Sequence, residues 1–520
     1  MEWRRPQVSR LREGRRTHFR IIPYVRVVVN RFSDFSDGSD RAARGHRTRR
    51  RRHRVNRKAK GGIAVDLIRA AVGGVVPLLL FAGGLFFLIR LRGFYLLHPL
   101  RTLRLALGKG DRRASLSALA VALGGTLGVG NITGVAAAIS LGGAGALFWT
   151  WISALLSMGL HFAETALALD SADPPGLPRY LGGRVTKTVF PLALFGLSLT
   201  LGGGLQSAAV SEAAKIAFGV PAILSGLFLA VPVVFATAGG FSRIRAVSSR
   251  VIPFVTLLYA LLCLGVIVSF RARLPGVLGS VFRDAFSLRA AAGGGIGAVI
   301  RRASVGFRRG LLSNEGGCGT ASVAHAAAGT GDPAKQGAAG VIEVAVDTLF
   351  LCTLTGLAIL SSGASGDGVA PVLQAFRSVF GHGADLLLPA SIYLFAFATA
   401  VAYCFYGETA VEALGGNGRI FPFVSAVFLF CGAFFSRGLL FFLSDLFLGI
   451  LAVLNLASLI KKADRISHLS AELTVEFGKK PITPRGARPI RTPLSSRAAD
   501  RPPPKDGRSR RRTRARSRQE

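Results

Sequence analysis

Metal-ligand clusters, nucleotide-binding loops and catalytic sets are all missing from this sequence. Its 520 residues contain only five Cys, two Met and 27 acidic residues. The cysteines are scattered through apolar stretches without ligand spacing, which favours free buried thiols over a disulfide framework or a metal site. There is no Gly-Lys-Ser/Thr loop, and no Ser, His and Asp set is recognisable. The pattern therefore does not support an enzyme, and no cofactor is expected.

Charge is scarce in the middle of the chain and concentrated at its ends. Residues 1–60 contain 20 basic residues (Lys and Arg) and 5 acidic residues (Asp and Glu). Residues 461–520 contain 18 basic and 6 acidic residues. The whole chain is 50% hydrophobic and 18% charged, against about 25% charged residues in a typical soluble protein. We therefore expect a membrane protein with a basic, disordered tail at residues 1–62 and a basic cytoplasmic tail from residue 461. The run Arg47–Arg54 has no interleaved aromatic residues, so no specific nucleic-acid partner is expected.

The apolar middle, residues 63–460, divides into stretches long enough to cross a bilayer, and we interpret it as one transmembrane domain. A spanning helix needs about 20 mainly apolar residues. The alternation of polar and apolar residues that is typical of barrel strands is absent, which leaves helices as the spanning element. Eleven spans are predicted, at residues 63–90, 115–140, 147–169, 188–217, 221–239, 251–270, 293–325, 338–361, 385–408, 420–436 and 439–460.

Basic residues in the connecting loops indicate the orientation. The loop after the first span contains seven Lys and Arg between Arg90 and Arg113, and loops of this kind lie on the cytoplasmic side. Counting the spans onward places the C-terminus in the cytoplasm, next to Lys461 and Lys462. The N-terminal tail would lie outside, against the positive-inside rule. We predict a multi-pass protein of the cell inner (plasma) membrane, surrounded by lipid bilayer.

Two glycine-rich segments interrupt the predicted spans. Residues 124–134 read Gly-Gly-Thr-Leu-Gly-Val-Gly-Asn-Ile-Thr-Gly, and residues 306–320 include five glycines. Each glycine costs up to about 1 kcal/mol in a helix interior, so both helices are predicted to unwind. The first segment opens a run of five spans (115–270) and the second opens another (293–460). Because five is odd, the second run is inverted relative to the first.

Interrupted helices at matching positions of an inverted repeat are typical of a transporter binding site. Their free carbonyl groups can bind a cation, and the N–H groups at half-helix ends can bind a carboxylate. The combination suits a zwitterionic amino acid carried together with Na⁺. Close helix packing is the alternative role of the glycines in either segment taken alone.

Several motifs lie in and around these two segments. The stretches Gly125–Ile139 and Arg309–Gly319 carry Thr-Leu-Gly-Val-Gly-Asn and Ser-Asn-Glu-Gly-Gly. They resemble signatures of the alanine or glycine:cation symporter family, a similarity that extends over residues 63–465. Further matching positions are Gly142–Trp149, His161–Glu164, Lys335–Gly337, Asp347 and Thr348, Cys352 and Thr353, and Tyr406–Glu408.

The resemblance implies a leucine-transporter-type fold, all-helical, with a 5+5 inverted repeat, two unwound helices and one additional N-terminal helix. It also implies sodium-coupled import of a small neutral amino acid, namely alanine, glycine or D-alanine. Proton coupling is a further possibility within the family. Na⁺ would act as the coupling ion.

Carried over by motif, the resemblance assigns binding roles to the first segment. Thr126, Gly128, Gly130 and Asn131 would line the unwound helix. The N–H groups of Val129 and Gly130 would receive the carboxylate of the substrate.

The resemblance assigns further ligands outside the unwound turn. Na⁺ would be held by the carbonyl groups of Gly124 and Leu127 and by the hydroxyl of Thr399. Gln206 would contact the substrate, and Cys318 would stand beside its methyl group.

Three positions depart from the family pattern. Tyr403, included among the substrate-binding residues, stands where the family usually has Trp. Ala398 replaces a Ser, and Ala208 replaces an Asn. The loss of polar ligands leaves the number of coupled cations open, and the smaller Tyr403 predicts a pocket of different shape.

Ionisable residues inside apolar spans are expected to face the protein interior, because a charge at mid-bilayer costs roughly 2.5–3.5 kcal/mol. Glu315, inside the second segment, is the candidate for a proton or gating role. Pairing with Arg is expected for Glu164, Glu408 and Asp445, at helix ends. His161 and His325 are expected to bond the backbone near helix ends.

The hypothesis favoured by these features is a sodium-coupled symporter. The first alternative is a proton-coupled or uncoupled facilitator. A channel or passive facilitator would show a continuous polar face and no paired unwound helices. The second is a non-transporting membrane sensor of the same fold, which the basic tails and the missing polar ligands would fit.

Overall fold

The computed structural model shows an all-helical protein. Within the described residues every regular element is a helix and no strand is present, which confirms the predicted all-helical class. The predicted tail at residues 1–62 and the first part of the first span, residues 63–70, lie outside the described residues. The described ranges are 71–107, 112–170, 177–178, 180–287, 296–327 and 332–475.

Four of the described helices contain widened turns of π type, at Ala71–Val75, Gly130–Gly134, Thr200–Leu205 and Ala345–Cys352. The helices follow one another with short connections. In chain order they are α1 Ala71–Arg90, α2 Phe94–Leu97, α3 Pro99–Ala106, α4 Arg112–Thr126, α5 Gly130–Gly142, α6 Gly145–Asp170, α7 Arg184–Phe218, α8 Ala222–Thr237, α9 Gly240–Ser269, α10 Leu274–Phe286, α11 Ile296–Asn314, α12 Thr320–Ala327, α13 Pro333–Ser362, α14 Ala370–Phe380, α15 Ala384–Ala413, α16 Phe421–Gly432, α17 Arg437–Lys461 and α18 Ala463–Val475.

Seven helical stretches in the described part of the chain are long and apolar enough to cross a membrane. They are α1, α6, α7, α9, α13, α14 with α15, and α17. Helices α4 and α5 make an eighth if the bent pair is counted as one span. The other predicted spans correspond to α8 and α16, which have only 16 and 12 residues, and to α11, which carries four arginines. The count of eleven spans stays a prediction.

Short helices occupy stretches that the sequence analysis assigned to connecting loops. Helix α3 follows α1, α10 follows α9, and α14 precedes α15. Each presents apolar residues to the bundle; in α14 these include Val372, Leu373 and Phe376, all buried. The short helices therefore cover the ends of the long ones.

Helix α6 lies at the centre of the bundle and packs against α1, α11, α12 and α13. Glycines on α11 allow the close approach. A Cβ added at Gly306 would lie 2.2 Å from the carbonyl oxygen of Ala146, and one at Gly310 would lie 2.7 Å from Oγ of Ser153. Both positions belong to the second glycine-rich segment, so the packing role applies to the part of that segment that stays helical.

Candidate functional site

The first glycine-rich segment is unwound. Helix α4 ends at Thr126 and α5 begins at Gly130, so Leu127–Val129 lie outside regular helix, and the two helices are bent by 49°. Within this first break the N–H of Gly128 donates to Oδ1 of Asn131 at 3.1 Å. The side chain replaces the carbonyl partner that a continuous helix would supply.

A widened turn of α7 brings Gln206 against the first break. Residues Thr200–Leu205 form this turn, and Gln206 follows it. Its Oε1 accepts a hydrogen bond from the N–H of Val129 at 3.2 Å, and its Nε2 donates to the carbonyl of Leu201 at 3.1 Å. The two bonds fix the orientation of a side chain that is buried.

Helix α15 reaches the same break through Thr399, whose hydroxyl donates to the carbonyl of Leu127 at 3.0 Å. Gly128 leaves no room for a side chain here. An added Cβ would lie 2.7 Å from Oγ1 of Thr399 and 3.2 Å from Nε2 of Gln206. The first break, α7 and α15 therefore meet at one point.

Gly124 and Gly130, on either side of the break, face other helices. A Cβ added at Gly124 would lie 3.4 Å from Oγ of Ser248 on α9. That hydroxyl is buried and has no hydrogen-bond partner among the described atoms. A Cβ added at Gly130 would lie 3.7 Å from Cα of Ser313 on α11. Gly124 thus lies towards α9, whereas the carbonyl of Leu127 points to α15.

Asn131 is held by Asp347, which is not among the predicted site residues. Its Nδ2 donates to Oδ1 of Asp347 at 2.6 Å and to the Asp347 carbonyl at 3.0 Å. Asp347 lies in the π-type turn Ala345–Cys352 of α13 and is fully buried. Its Oδ2 accepts from the hydroxyls of Ser313 at 2.9 Å and Thr348 at 2.6 Å. Because Ser313 lies in the last turn of α11, Asp347 ties the two glycine-rich segments together.

The second glycine-rich segment is also unwound, directly after Asn314. Glu315, Gly317 and Gly319 have φ angles of 53°, 81° and 82°, in the left-handed region that is uncommon for residues other than glycine. The N–H of Gly316 donates to Oδ1 of Asn314 at 2.9 Å. This second break separates α11 from α12.

Glu315 and Tyr403 connect the second break to α15. The hydroxyl of Tyr403 donates to Oε1 of Glu315. Tyr403 also packs on the widened turn of α7, where a Cβ added at Gly202 would lie 2.2 Å from the Cβ of Tyr403. The centre of the Tyr406 ring lies 5.1 Å from the centre of the Tyr403 ring. The hydroxyl of Tyr406 would lie 2.6 Å from a Cβ added at Gly125. The two tyrosines therefore reach from the second break to the first.

The remaining predicted site residues, Thr126 and Cys318, lie in or beside the breaks. Cys318 is buried inside the second break. Thr126, the last residue of α4, donates its hydroxyl to Oε1 of Glu343 on α13 at 3.3 Å. Glu343 and Asp347 were missed as site residues; their spacing of four puts both carboxylates on one face of α13, and this is the signal that the sequence offers.

Neither Glu164 nor Glu408 pairs with an arginine among the described residues, so that expectation is wrong for both. Oε2 of Glu164 accepts from the N–H of Gly319 at 2.9 Å and from Nδ2 of Asn455 at 2.7 Å. The carboxylate thus caps the start of α12. Asp445 does lie near an arginine, with 3.8 Å between its Oδ2 and Nε of Arg308.

The two buried histidines do not bond the backbone, and that expectation is also wrong. Nδ1 of His325 lies 2.5 Å from Oε1 of Gln336, and Nε2 lies 3.3 Å from Oε2 of Glu343. Neither ring nitrogen of His161 has a hydrogen-bond partner among the described atoms. The partners of His325 come from α13 and not from its own helix end.

Comparison with known proteins places this chain in a family. The sequence profile of the sodium:alanine symporter family matches residues 63–477. The sodium/alanine symporter AgcS of Methanococcus maripaludis is 31% identical over 76% of this chain and 93% of its own length. The amino-acid carrier protein AlsT of Bacillus subtilis is 33% identical over 72% of this chain and 83% of its own length.

Two further proteins that resemble this chain are named for other substrates. The probable sodium/glutamine symporter GlnT of Bacillus subtilis is 34% identical over 76% of this chain and 87% of its own length. Among solved structures, a manganese transporter mutant of Eremococcus coleocola covers 72% of this chain and 83% of its own, at 12% identity and a TM-score of 0.47. That structural likeness is too low to carry an argument.

Proposed function

The chain belongs to the sodium:alanine symporter family, and we propose that it imports a small neutral amino acid together with Na⁺ by alternating access. The substrate is alanine, glycine or D-alanine. The observation that carries the proposal is the first break, where one short stretch of free backbone offers a carbonyl to the hydroxyl of Thr399 and an N–H to the amide of Gln206.

The proposed architecture has eleven spans with a 5+5 inverted repeat, at about 115–270 and 293–460, after one N-terminal helix. Each repeat begins with an interrupted helix, α4–α5 in the first and α11–α12 in the second. Asp347 bonds to side chains of both interrupted helices, as expected for two half-sites that act together.

The cation is proposed to bind between the first break and α15. The carbonyl oxygen of Leu127 and the hydroxyl oxygen of Thr399 lie 3.0 Å apart, and both are the hard oxygen donors that unwound helices offer to Na⁺. Na⁺ would replace the hydrogen bond between them and bind both oxygens. The carbonyl of Gly124, one turn earlier, is the third proposed ligand.

The carboxylate of the substrate is proposed to bind the N–H groups of Val129 and Gly130, at the start of α5. The N-terminal end of a helix carries a partial positive charge that favours an anion. In the described structure the N–H of Val129 is bonded to Oε1 of Gln206. Gln206 would therefore turn its amide towards the substrate when the carboxylate takes its place.

The side of the pocket facing the second break is proposed to be shaped by Tyr403 and Cys318. Tyr403 is held by Glu315 and by the close contact with Gly202, so its ring has little freedom. A fixed aromatic wall suits a substrate with a small side chain, since a larger one would have to displace it. Thr126, Gly128 and Asn131 complete the lining in this proposal.

Sodium coupling would supply the free energy for accumulation. One positive charge that crosses a membrane potential of about 100 mV gains about 2.3 kcal/mol. Because about 1.4 kcal/mol corresponds to a factor of ten, one Na⁺ could support accumulation of roughly 50-fold from the potential alone. The chemical gradient of Na⁺ would add to this value.

The surroundings of the transporter are part of the same proposal. The transmembrane domain lies in the plasma membrane, with the basic tail after residue 461 in the cytoplasm. We propose no specific nucleic-acid partner for either basic tail, residues 1–62 and 461–520. No cofactor besides the coupling ion is proposed.

The cation site is tested by replacing Thr399 with Ala and, as a matched control, with Ser. Binding of radiolabelled alanine to purified protein is measured in NaCl and in choline chloride. We expect Thr399→Ala to need about 10- to 150-fold more Na⁺, since a hydrogen-bonding contact to a charge is worth about 1.5–3 kcal/mol. Thr399→Ser keeps the hydroxyl and should stay close to the native protein. An identical Na⁺ requirement in all three proteins would contradict the site.

This binding measurement separates one alternative, and a transport assay separates the other. A proton-coupled or uncoupled facilitator would bind alanine equally in NaCl and choline chloride. A non-transporting sensor would bind alanine with Na⁺ but would not move it across a membrane.

A further inference from the structure

A buried guanidinium group on α11 lacks an acceptor among the described residues. Arg309 is only 8% exposed, and its Nε and Nη1 atoms are buried without a hydrogen-bond partner in the described part of the chain. Its Cζ lies 4.1 Å from the centre of the Phe441 ring on α17. The ring covers one face of the guanidinium, while the N–H donors at its edge stay unused.

This arrangement leaves a permanent charge without a partner. An arginine side chain is not deprotonated in proteins, and a buried charge is costly unless it is paired and hydrogen-bonded. The contact with Phe441 offsets part of this cost, but an aromatic ring face cannot satisfy several N–H donors at once. An anion that reaches Arg309 would therefore be stabilised there.

The carboxylates within electrostatic range of Arg309 lie beside other arginines. Oδ2 of Asp445, on α17, is 3.8 Å from Nε of Arg308, and Oδ2 of Asp367 is 2.9 Å from Nη2 of Arg437. Both act on Arg309 only through space. Arg308 and Arg309 thus share one nearby carboxylate on α17, and a ligand can supply the second acceptor.

Arg309 lies close to the end of the first break that is proposed to bind the carboxylate of the substrate. It stands four residues before Ser313, so the two side chains share one face of α11 and are about one helical turn, or roughly 5.4 Å, apart along the axis. The Cα of Ser313 is 3.7 Å from a Cβ added at Gly130, whose N–H is a proposed ligand. Arg309 is therefore about one turn away from that ligand.

The position of Phe441 shows on which side of the first break Arg309 lies. Helix α17 begins at Arg437 and ends at Lys461, and Phe441 is one turn after its beginning. In the proposed topology the end of α17 is cytoplasmic, so its beginning lies towards the outside. An amino acid that enters from outside passes the level of Arg309 before it reaches the first break.

We propose that Arg309 is an anion-binding residue on the entry path, and that it receives the carboxylate of the incoming amino acid. A guanidinium presents its donors in a fork that matches the two oxygens of a carboxylate. The substrate then moves inward by about one helical turn, to the N–H groups of Val129 and Gly130. The inference rests on the proposed function, because it takes the cargo to be an amino acid.

The test measures how fast radiolabelled alanine associates with and dissociates from purified full-length protein at saturating Na⁺. Arg309→Met removes the charge, and the flexible thioether can still pack on Phe441. Association should slow by about tenfold or more, the effect of losing an attracting charge in a cleft. Because Arg309 does not contact alanine in the final site, dissociation should slow by the same factor, and the equilibrium affinity should stay native.

Two further variants separate charge from structure. Arg309→Lys keeps the positive charge and should restore association close to the native rate. Arg301→Met is the matched control, since it removes the same charge from an exposed position of the same helix, about two turns earlier, and should keep both native rates. If Arg309→Met does not fold, Arg309→Gln removes the charge while it retains a polar side chain.

Chloride has the same charge as a carboxylate and is distinguished by changing the salt. The measurements are made in NaCl and in sodium methanesulfonate, whose anion is much larger than chloride. If Arg309 receives the substrate, the equilibrium affinity for alanine should be the same in both salts. Alanine binding that requires chloride in the native protein, but not in Arg309→Met, would identify a chloride site and overturn the assignment to the substrate.

The remaining outcomes separate this inference from the proposed function. Native association rates in Arg309→Met or Arg309→Gln would overturn the inference and leave sodium coupling intact. The same holds if these variants lose equilibrium affinity while association stays native, or if Arg301→Met slows association as much as they do. A native protein that binds no alanine in the presence of Na⁺ would overturn the proposed function and this inference together.

Discussion

Gly128 lies between Thr399 and Gln206 with no space for a side chain. We predict that Gly128→Ala pushes both neighbours away from the first break. Overpacking of this kind costs about 1–3 kcal/mol, which corresponds to a loss of roughly 5- to 150-fold in Na⁺-dependent alanine binding. The affinity is measured with radiolabelled alanine at a fixed Na⁺ concentration.

Gly134 provides the control for this substitution. It follows the same break, in the first turn of α5, but a Cβ added there would have no atom within 4 Å. Gly134→Ala should therefore bind alanine as the native protein does. Equal affinities for Gly128→Ala and Gly134→Ala would show that the space around Gly128 has no role in binding.

Individual site residues were predictable to different degrees. Gln206 and Thr399 came from the family motifs, and the structure shows both of them bonded to the first break. Asp347 was recognisable in the motifs, but its bond to Asn131 joins residues far apart in sequence. Such a contact depends on how α13 packs against α5, which local sequence does not encode.

The second break depends on the side chain that caps its far end. Oε2 of Glu164 accepts from the N–H of Gly319 and from Nδ2 of Asn455. We predict that Glu164→Leu destabilises the protein by about 1–3 kcal/mol, because it leaves two buried donors without an acceptor. Glu164→Gln retains a carbonyl oxygen for these donors, so this variant should lose much less stability.

Thermal unfolding of the purified variants in detergent checks this prediction. The midpoint of Glu164→Leu should lie below that of Glu164→Gln, which should lie near the native value. Midpoints that are the same for both variants would mean that the carboxylate does not support the second break.

Both breaks were predictable from sequence, whereas the short helices were not. Clusters of glycine with Asn and Thr in an apolar context weaken a helix locally, and this signal is independent of tertiary structure. Helices such as α10 and α14 are too short to span a membrane and were read as connectors. Their apolar faces are stabilised by packing on the ends of long helices, which supplies most of the stability of a short helix.

Ion pairs mark the two ends of the bundle. Arg90, at the end of α1, pairs with Asp464, and Arg465 pairs with Asp170, at the end of α6, at 2.5 Å. The ends of α1 and α6 and the start of α18 therefore share one face of the molecule. In the proposed topology this face is cytoplasmic, in agreement with the basic loop after α1.

The opposite end is marked by Arg437, at the start of α17. It lies 3.2 Å from a carboxylate oxygen of Glu212 and 2.9 Å from one of Asp367. Helix α17 has 25 residues and is about 37 Å long at about 1.5 Å per residue. This length separates the two sets of ion pairs by more than the roughly 30 Å hydrocarbon core of a bilayer.

Accumulation of labelled alanine in proteoliposomes tests sodium-coupled transport most directly. With an inward Na⁺ gradient, we expect alanine to rise above its external concentration inside the vesicles. The accumulation should collapse when a sodium ionophore is added, and it should not occur when choline replaces Na⁺. Equal uptake with and without the Na⁺ gradient would contradict the account.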